Sequence, residues 1–277
     1  RPRDPDAPPF RSGRMLLLAY ALGSVIEPAA GPAPNAPLGV VLDIPGVLAH
    51  DRRTGAFRRF GEAPDLPDPA GATARFRVGP LASAPGREGY LEMVRRGLAS
   101  IAAGDVYQVN LAHRLSAGFR GSPRALFAAL ARAAGPAHGA YAEFAGASGL
   151  TAVCSLSPEL FLRYDARTRR VTTRPMKGTR PISADPDELR NAEKDRAELD
   201  MITDLMRNDL GRVCAFGSVR VDAARTIEAH AESVWQATST VSGTLGDGLA
   251  RDDLIRATFP PGSVTGAPKI RAMQLID

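Results

Sequence analysis

The stretch from residue 172 to 212, TTRPMKGTRP through DRAELDMITDLMRNDLGR, constrains this chain more than any other. It begins with a Pro-Met-Lys-Gly-Thr segment at 175–179, expected to form a tight turn, and continues into one long helical pattern over 186–213. Asp195 and Glu198 are three residues apart and so share a helix face. The same row continues through Ile202 and Leu205, which should face a core. Two carboxylates at the end of an apolar row are costly unless solvated, paired or bound to a cation. Hard carboxylates presented this way suit Mg²⁺, which takes one or two from the protein and completes its shell with water and substrate oxygens. A helix end emerging into solvent satisfies the pattern equally.

The lysine of the turn stands out by scarcity. Of 35 Lys and Arg residues only Lys177, Lys194 and Lys269 are lysine. Arginine stays protonated at ordinary pH, whereas a buried lysine amine can lose its proton and act as base or nucleophile. Lys177 is therefore a candidate for amine chemistry, and a solvated turn lysine is the plainer alternative.

At 277 residues the chain can bury one large core or two small ones. The formal net charge of +5 is spread along the sequence without a Lys/Arg block. That slightly favours small anionic ligands and gives no nucleic-acid footprint. Cys154 and Cys214 stand alone, without metal-type spacing or a disulfide framework, which points to a reducing cytoplasm. The apolar run 15–26, MLLLAYALGSVI, is too short to span a bilayer and reads as a buried strand. The chain opens on Arg1 rather than Met, so it reads as an excerpt.

Pro-rich loops are expected at 1–9, 28–38 and 61–72, with a second strand over 38–48. Tyr90, Met93, Val94, Leu98 and Ile101 recur at helical spacing, so 87–103 is an amphipathic helix stopped by Gly104. Residues 105–115, DVYQVNLAHRL, alternate as a strand that sets Gln108 beside Val106, as a solvated or a site-lining residue. A helix follows at 122–133, then strands at 151–156, 160–164 and 170–174, with Glu159 in the link between the first two. Strands are also expected at 217–221 and 234–245. The segment FPPGSVTGAPKIRAMQLID (259–277) reads as a Gly-rich turn and a helix that Thr265 could cap, with free N–H groups suited to an anion. Its spacing is not that of a Walker A loop, and no GxSxG, HExxH, CxxC or internal repeat occurs.

Four blocks, GDVYQVNLAHRL (104–115), SPELFLRY with RPMKGTRP (157–181), DRAELDMITDLMRNDLGRV (195–213) and 259–277, together resemble the chorismate-utilising enzymes. The resemblance covers nearly all of the chain from Arg87 onward. It implies an α+β fold of two packed antiparallel β-sheets with helices outside. Residues 1–80 would then be the remnant of an N-terminal lobe contributing strands, and 81–277 the chorismate-binding catalytic domain without its C-terminal part. Gln108 stands where the water-adding members carry a lysine base. Lys177 matches the P-x-K-G-T turn of the aminodeoxychorismate synthase branch, where anthranilate synthases carry alanine. Gln236 replaces a histidine of the anthranilate synthases, in support of the same branch.

The implied reaction is amination of chorismate at C4, with Lys177 as a covalent relay and Glu159 as general acid/base. Gln108, Gly178, Thr179, Thr265 and Gly266 would line the substrate pocket. Mg²⁺ would be held by Glu198, with Asp195 and Asp277 acting through water. Ammonia would come from a glutamine amidotransferase subunit, in the cytoplasm, on the way to p-aminobenzoate and folate; no nucleic acid or membrane is involved. The family continues past Asp277 with a second metal glutamate and a substrate-binding arginine, so the excerpt alone is expected to be inactive. Anthranilate synthase component I is the nearest alternative. A noncatalytic chorismate-binding subunit is the alternative of another class.

Overall fold

In the computed structural model the structure describes residues 10–32, 35, 37–51, 54–63, 65, 75–146, 149–230 and 233–276. The first strands form two hairpin-like pairs: β1 (Gly13–Leu18) with β2 (Gly39–Ile44), and β3 (Gly46–His50) with β4 (Phe57–Gly61). Between β1 and β2 lies the short helix α1 (Leu22–Ile26). The apolar run 15–26 is thus not one buried strand. β1 stops at Leu18, its Leu16 is 57% exposed, and Gly23 of α1 lies so close to Met273 and Pro260 that a Cβ would meet them at 2.8 and 3.0 Å. The strand expected at 38–48 is two strands broken at Pro45, which has no N–H to give a ladder.

β5 (Phe76–Val78) and β6 (Ala82–Ala84) lead into α2 (Gly86–Ala102), which the apolar spacing anticipates closely. Gly104 follows it at φ +79°, as a helix stop requires. The strand expected over 105–115 is reduced to β7 (Gln108–Val109) and β8 (Arg114–Ser116), because β7 has only a two-residue partner. β9 (Phe119–Gly121) pairs β5, and β8 pairs β6. α3 (Pro123–Ala134) starts at Ser122, whose hydroxyl accepts from Ala125 N at 3.2 Å. β10 (His138–Gly146), which the sequence did not suggest, pairs β11 (Gly149–Ser157).

The main sheet is antiparallel and contains β12 (Leu160–Asp165), β13 (Arg170–Arg174), β14 (Met176–Pro181), β15 (Arg220–His230) and β16 (Val234–Thr244). β16 is its centre: β15 lies along one side, and β13 and β14 lie end to end along the other. β13 and β14 keep one register, Thr173 opposite Val241 and Met176 opposite Thr238. They are separate strands only because Pro175 cannot donate; its carbonyl still accepts from Ser239 N at 3.0 Å. The expected strand at 217–221 begins instead at Arg220, after Gly217 turns the chain at φ +77°, and runs on to His230.

One face of this sheet carries the core. The helix expected over 186–213 is two helices, α4 (Pro186–Asn191) and α5 (Glu193–Gly211), separated at Ala192, whose ψ of 105° is extended. Arg225 of β15 reaches the carbonyls of Leu189 and Ala192 at this break, and Ala192 O also accepts from Arg196 N at 3.0 Å. Leu189 and Leu199 pack on Ala237. Leu210 packs with Val171, Val241, Leu245 and with Leu254 of α6 (Arg251–Thr258). The chain closes with α7 (Gly262–Thr265), β17 (Gly266–Ala267) and α8 (Lys269–Ile276). The architecture is α+β, with every strand pair antiparallel.

Candidate active site

Lys177 is not in a turn. It lies on β14, opposite Ala237, one residue before a break in register. Up to Lys177 the pairing is one-to-one; beyond it Thr179 pairs with Gln236, so Gly178 is the extra residue of a bulge. Because side chains alternate along a strand, the bulge sends Lys177 to the Ala237 face and Thr179 to the Gln236 face. Only glycine fits at 178: φ is +76°, and a Cβ would meet Leu189 Cδ1 at 2.7 Å and Asp195 Cβ at 3.0 Å. The bulge thus presses the Lys177 strand against the first turns of α5.

Glu159 sits between β11 and β12, half-buried, with its N–H donating to Ser157 Oγ at 3.2 Å. Burial pushes its carboxyl above the usual range. The Ser263 hydroxyl, the positive charge of Lys177 and a backbone bond at Met176 pull the other way. A half-buried amine and a carboxyl biased toward its protonated form are therefore neighbours, the pairing that acid-assisted nucleophilic chemistry needs.

Gln108, Thr265 and Gly266 also come together. β17 pairs β7, setting Gly266 opposite Val109 and Ala267 opposite Gln108. Tyr107 N donates to Ala267 O at 2.7 Å and Asn110 N to Thr265 O at 2.8 Å. A Cβ on Gly266 would lie 2.1 Å from Gln108 O, so glycine is obligatory at this approach. Thr265 does not cap α8. Its buried hydroxyl donates back to Pro261 O at 3.1 Å and closes α7. This group joins the Lys177 group through α7, since Ser263 bonds Glu159 and accepts on its carbonyl from Asn110 Nδ2 at 3.2 Å. Ser263 and Asn110 were not singled out in the sequence; their polar side chains carry no periodic signal.

The α5 row runs as its spacing predicts, with Ile202 fully buried and Leu205 under Gly262 of α7. Asp195 is already engaged: Arg180 Nη2 donates to its Oδ2 at 2.8 Å, in a mostly buried pair. Glu198 is the open carboxylate, 36% exposed, with Lys194 no closer than 4.0 Å. Among the described residues no three His, Cys, Asp or Glu side chains gather into a metal cluster. Asp277 lies outside the described residues. The donors present, Glu198 and the second oxygen of Asp195, fit the one or two carboxylates that Mg²⁺ takes from a protein.

Gln236 Nε2 lies 3.4 Å from Thr179 Oγ1, across the bulge. The Oε1 atoms of both Gln236 and Gln108 are closed off from solvent without a protein donor. An unpaired buried carbonyl costs about 1–3 kcal/mol, which a ligand N–H or O–H would relieve. The resemblance places Gln108 at the substrate and Gln236 where anthranilate synthases carry a histidine.

Residues 42–277 match the chorismate binding enzyme family. The chain is 38% identical, over 97% of its length, to aminodeoxychorismate synthase component 1 of Klebsiella aerogenes, and 37% identical, over 99%, to anthranilate synthase component 1 of Thermus thermophilus. It covers 62% and 64% of those proteins, so it spans less than two thirds of their length. Its fold superposes on anthranilate synthase component I from Streptococcus pneumoniae with a TM-score of 0.78 at 25% identity, over 97% of this chain and 65% of that one. The chain belongs to the chorismate-binding enzymes. Among the described residues no helix is long and apolar enough to cross a membrane.

Proposed function

We propose that the protein aminates chorismate at C4 with ammonia, giving 4-amino-4-deoxychorismate on the route to p-aminobenzoate and folate. The observation that carries this reading is the neighbourhood of Lys177 and Glu159 on a bulged strand. Glu159, in its acid form, protonates the departing C4 hydroxyl, a poor leaving group otherwise. The neutral Lys177 amine bonds to ring C2 as the ring double bonds shift, water leaves, and the new ammonium returns its proton to Glu159. Ammonia then attacks C4, the double bonds shift back, and the C2–N bond breaks with its electron pair returning to Lys177. Proton transfer through Glu159 closes the cycle, so chorismate and ammonia yield product and water.

Gln108, Gly178, Thr265 and Gly266 line the ring pocket in this reading, while Thr179, which the bulge sends to the other sheet face, stands beside Gln236. Glu198 and Asp195, with Asp277, would hold Mg²⁺, which neutralises a substrate carboxylate when bound. A glutamine amidotransferase subunit supplies the ammonia. Anthranilate synthesis is the second reading, favoured by the near-equal similarity to the Thermus thermophilus protein. Incubating the full-length protein with chorismate, Mg²⁺ and ammonia separates the two. 4-Amino-4-deoxychorismate is the expected product, and fluorescent anthranilate formed without a lyase would overturn the choice.

A further inference from the structure

Asp209 and Lys269 form an ion pair whose side chains are only 4% and 9% exposed. Lys269 Nζ also donates to Thr258 O at 3.1 Å, so one ammonium ties α5, the last residue of α6 and the first residue of α8. The other charges around the pair are Arg212 and Glu27, themselves 3.3 Å apart. Neither partner is comfortable: burial is the largest influence on both, raising Asp209 to about 6 and lowering Lys269. Apolar side chains of similar volume commonly hold such a junction equally well or better, so overall stability is a poor reason for the pair. Its location offers a better one. Lys269 follows Gly266, Ala267 and Pro268 directly, so the ladder to β7 and this anchor hold the strip between α7 and α8 from its two ends.

We propose that the Asp209–Lys269 pair is a positioning device for the Thr265–Gly266 segment, holding it at the Gln108 backbone so that the substrate pocket keeps its shape. This rests on the chorismate reading of the site. The pair does not touch the reacting atoms; it acts through the main chain of residues 265–268.

The test uses the full-length protein with Asp209→Leu and Lys269→Met combined, which replaces the pair by apolar groups and leaves no buried charge unpaired. The expected result is a folded protein, Tm within about 5 °C of the parent. KM for chorismate should rise at least about tenfold with kcat little changed, and the amides of Tyr107 and Asn110 should exchange faster with solvent. Lys269→Arg, which keeps the charge, should recover most of the loss. A folded double variant with parental KM and parental exchange at both amides would overturn the proposal, as would losses that only follow the folded fraction. If the double variant does not fold, Asp209→Asn, which keeps the size of the side chain and removes its charge, is compared with the parent by the same two amides, and unchanged protection overturns the proposal. Failure of the parent protein to aminate chorismate would sink the functional reading alone, because the exchange measurement needs no turnover.

Discussion

At position 177 the proposed chemistry demands an amine that can shed its proton, and charge alone does not suffice. Lys177→Arg should therefore fail nearly as badly as Lys177→Ala, each losing at least about 100-fold in the rate of amination, as product formation under saturating ammonia would report. Glu159 must donate a proton, so it works in the protonated form, and burial has raised its pKa. The sign follows: kcat should fall as pH climbs through that raised value. Ser263 lowers the same pKa by its hydrogen bond, so Ser263→Ala should move this alkaline limb to higher pH. A pH–rate profile of parent and variant decides it; an unmoved limb would remove Ser263 from the account. Gly178→Ala forces a side chain into a φ of +76° against Leu189 and Asp195, and should cost about 2 kcal/mol or more in denaturant unfolding. The identities of Lys177, Glu159 and Gly178 were legible as letters. That Ser263 and Asn110 link them was not, because a polar residue announces a contact only when its partner is folded beside it.

Among the elements, α2 and the inward row of α5 were legible, and β10 and β14 were not. The helical row Asp195, Glu198, Ile202, Leu205 has a period that only a helix satisfies, and its burial followed the pattern. The break at Ala192 escaped the pattern, since alanine favours helix and Arg225, which bonds the carbonyls there, comes from β15 far along the chain. RPMKGTRP looks like a turn because proline and glycine punctuate chains, yet both serve a strand here: Pro175 interrupts a ladder and Gly178 makes a bulge. Tertiary pairing with β16 overrides local propensity, and no local window contains β16. Leu199 is fully buried between α5 and Ala237, so Leu199→Ala should lose about 2–5 kcal/mol by urea unfolding. A loss under about 1 kcal/mol would mean that the helix does not carry the sheet's core.

For the molecule as a whole, the four sequence blocks are distant in the chain and meet around α5 and α7. The β7–β17 pair, α7 on Leu205 and the Asp209–Lys269 junction hold the last block against the rest. Removing one charge of that junction should leave the other stranded. Lys269→Met withdraws the ammonium that holds Asp209 down, so its carboxyl should titrate above about 6. Above that pH a lone buried carboxylate is left, and the variant should be markedly less stable than the parent. As pH falls from that raised value toward about 6 the variant's carboxyl is neutralised and the gap should narrow. Thermal unfolding of both proteins between mildly acidic and neutral pH measures it, and a gap that widens on acidification would contradict the burial of the pair. The covalent relay stays the central claim. Its most direct test is intact-protein and peptide mass spectrometry of the full-length protein mixed with chorismate and Mg²⁺ without ammonia. The account predicts an adduct of chorismate less one water on the peptide containing Lys177, discharged by adding ammonia. Turnover to aminated product with no mass gain at Lys177, or with the adduct on another residue, would contradict it.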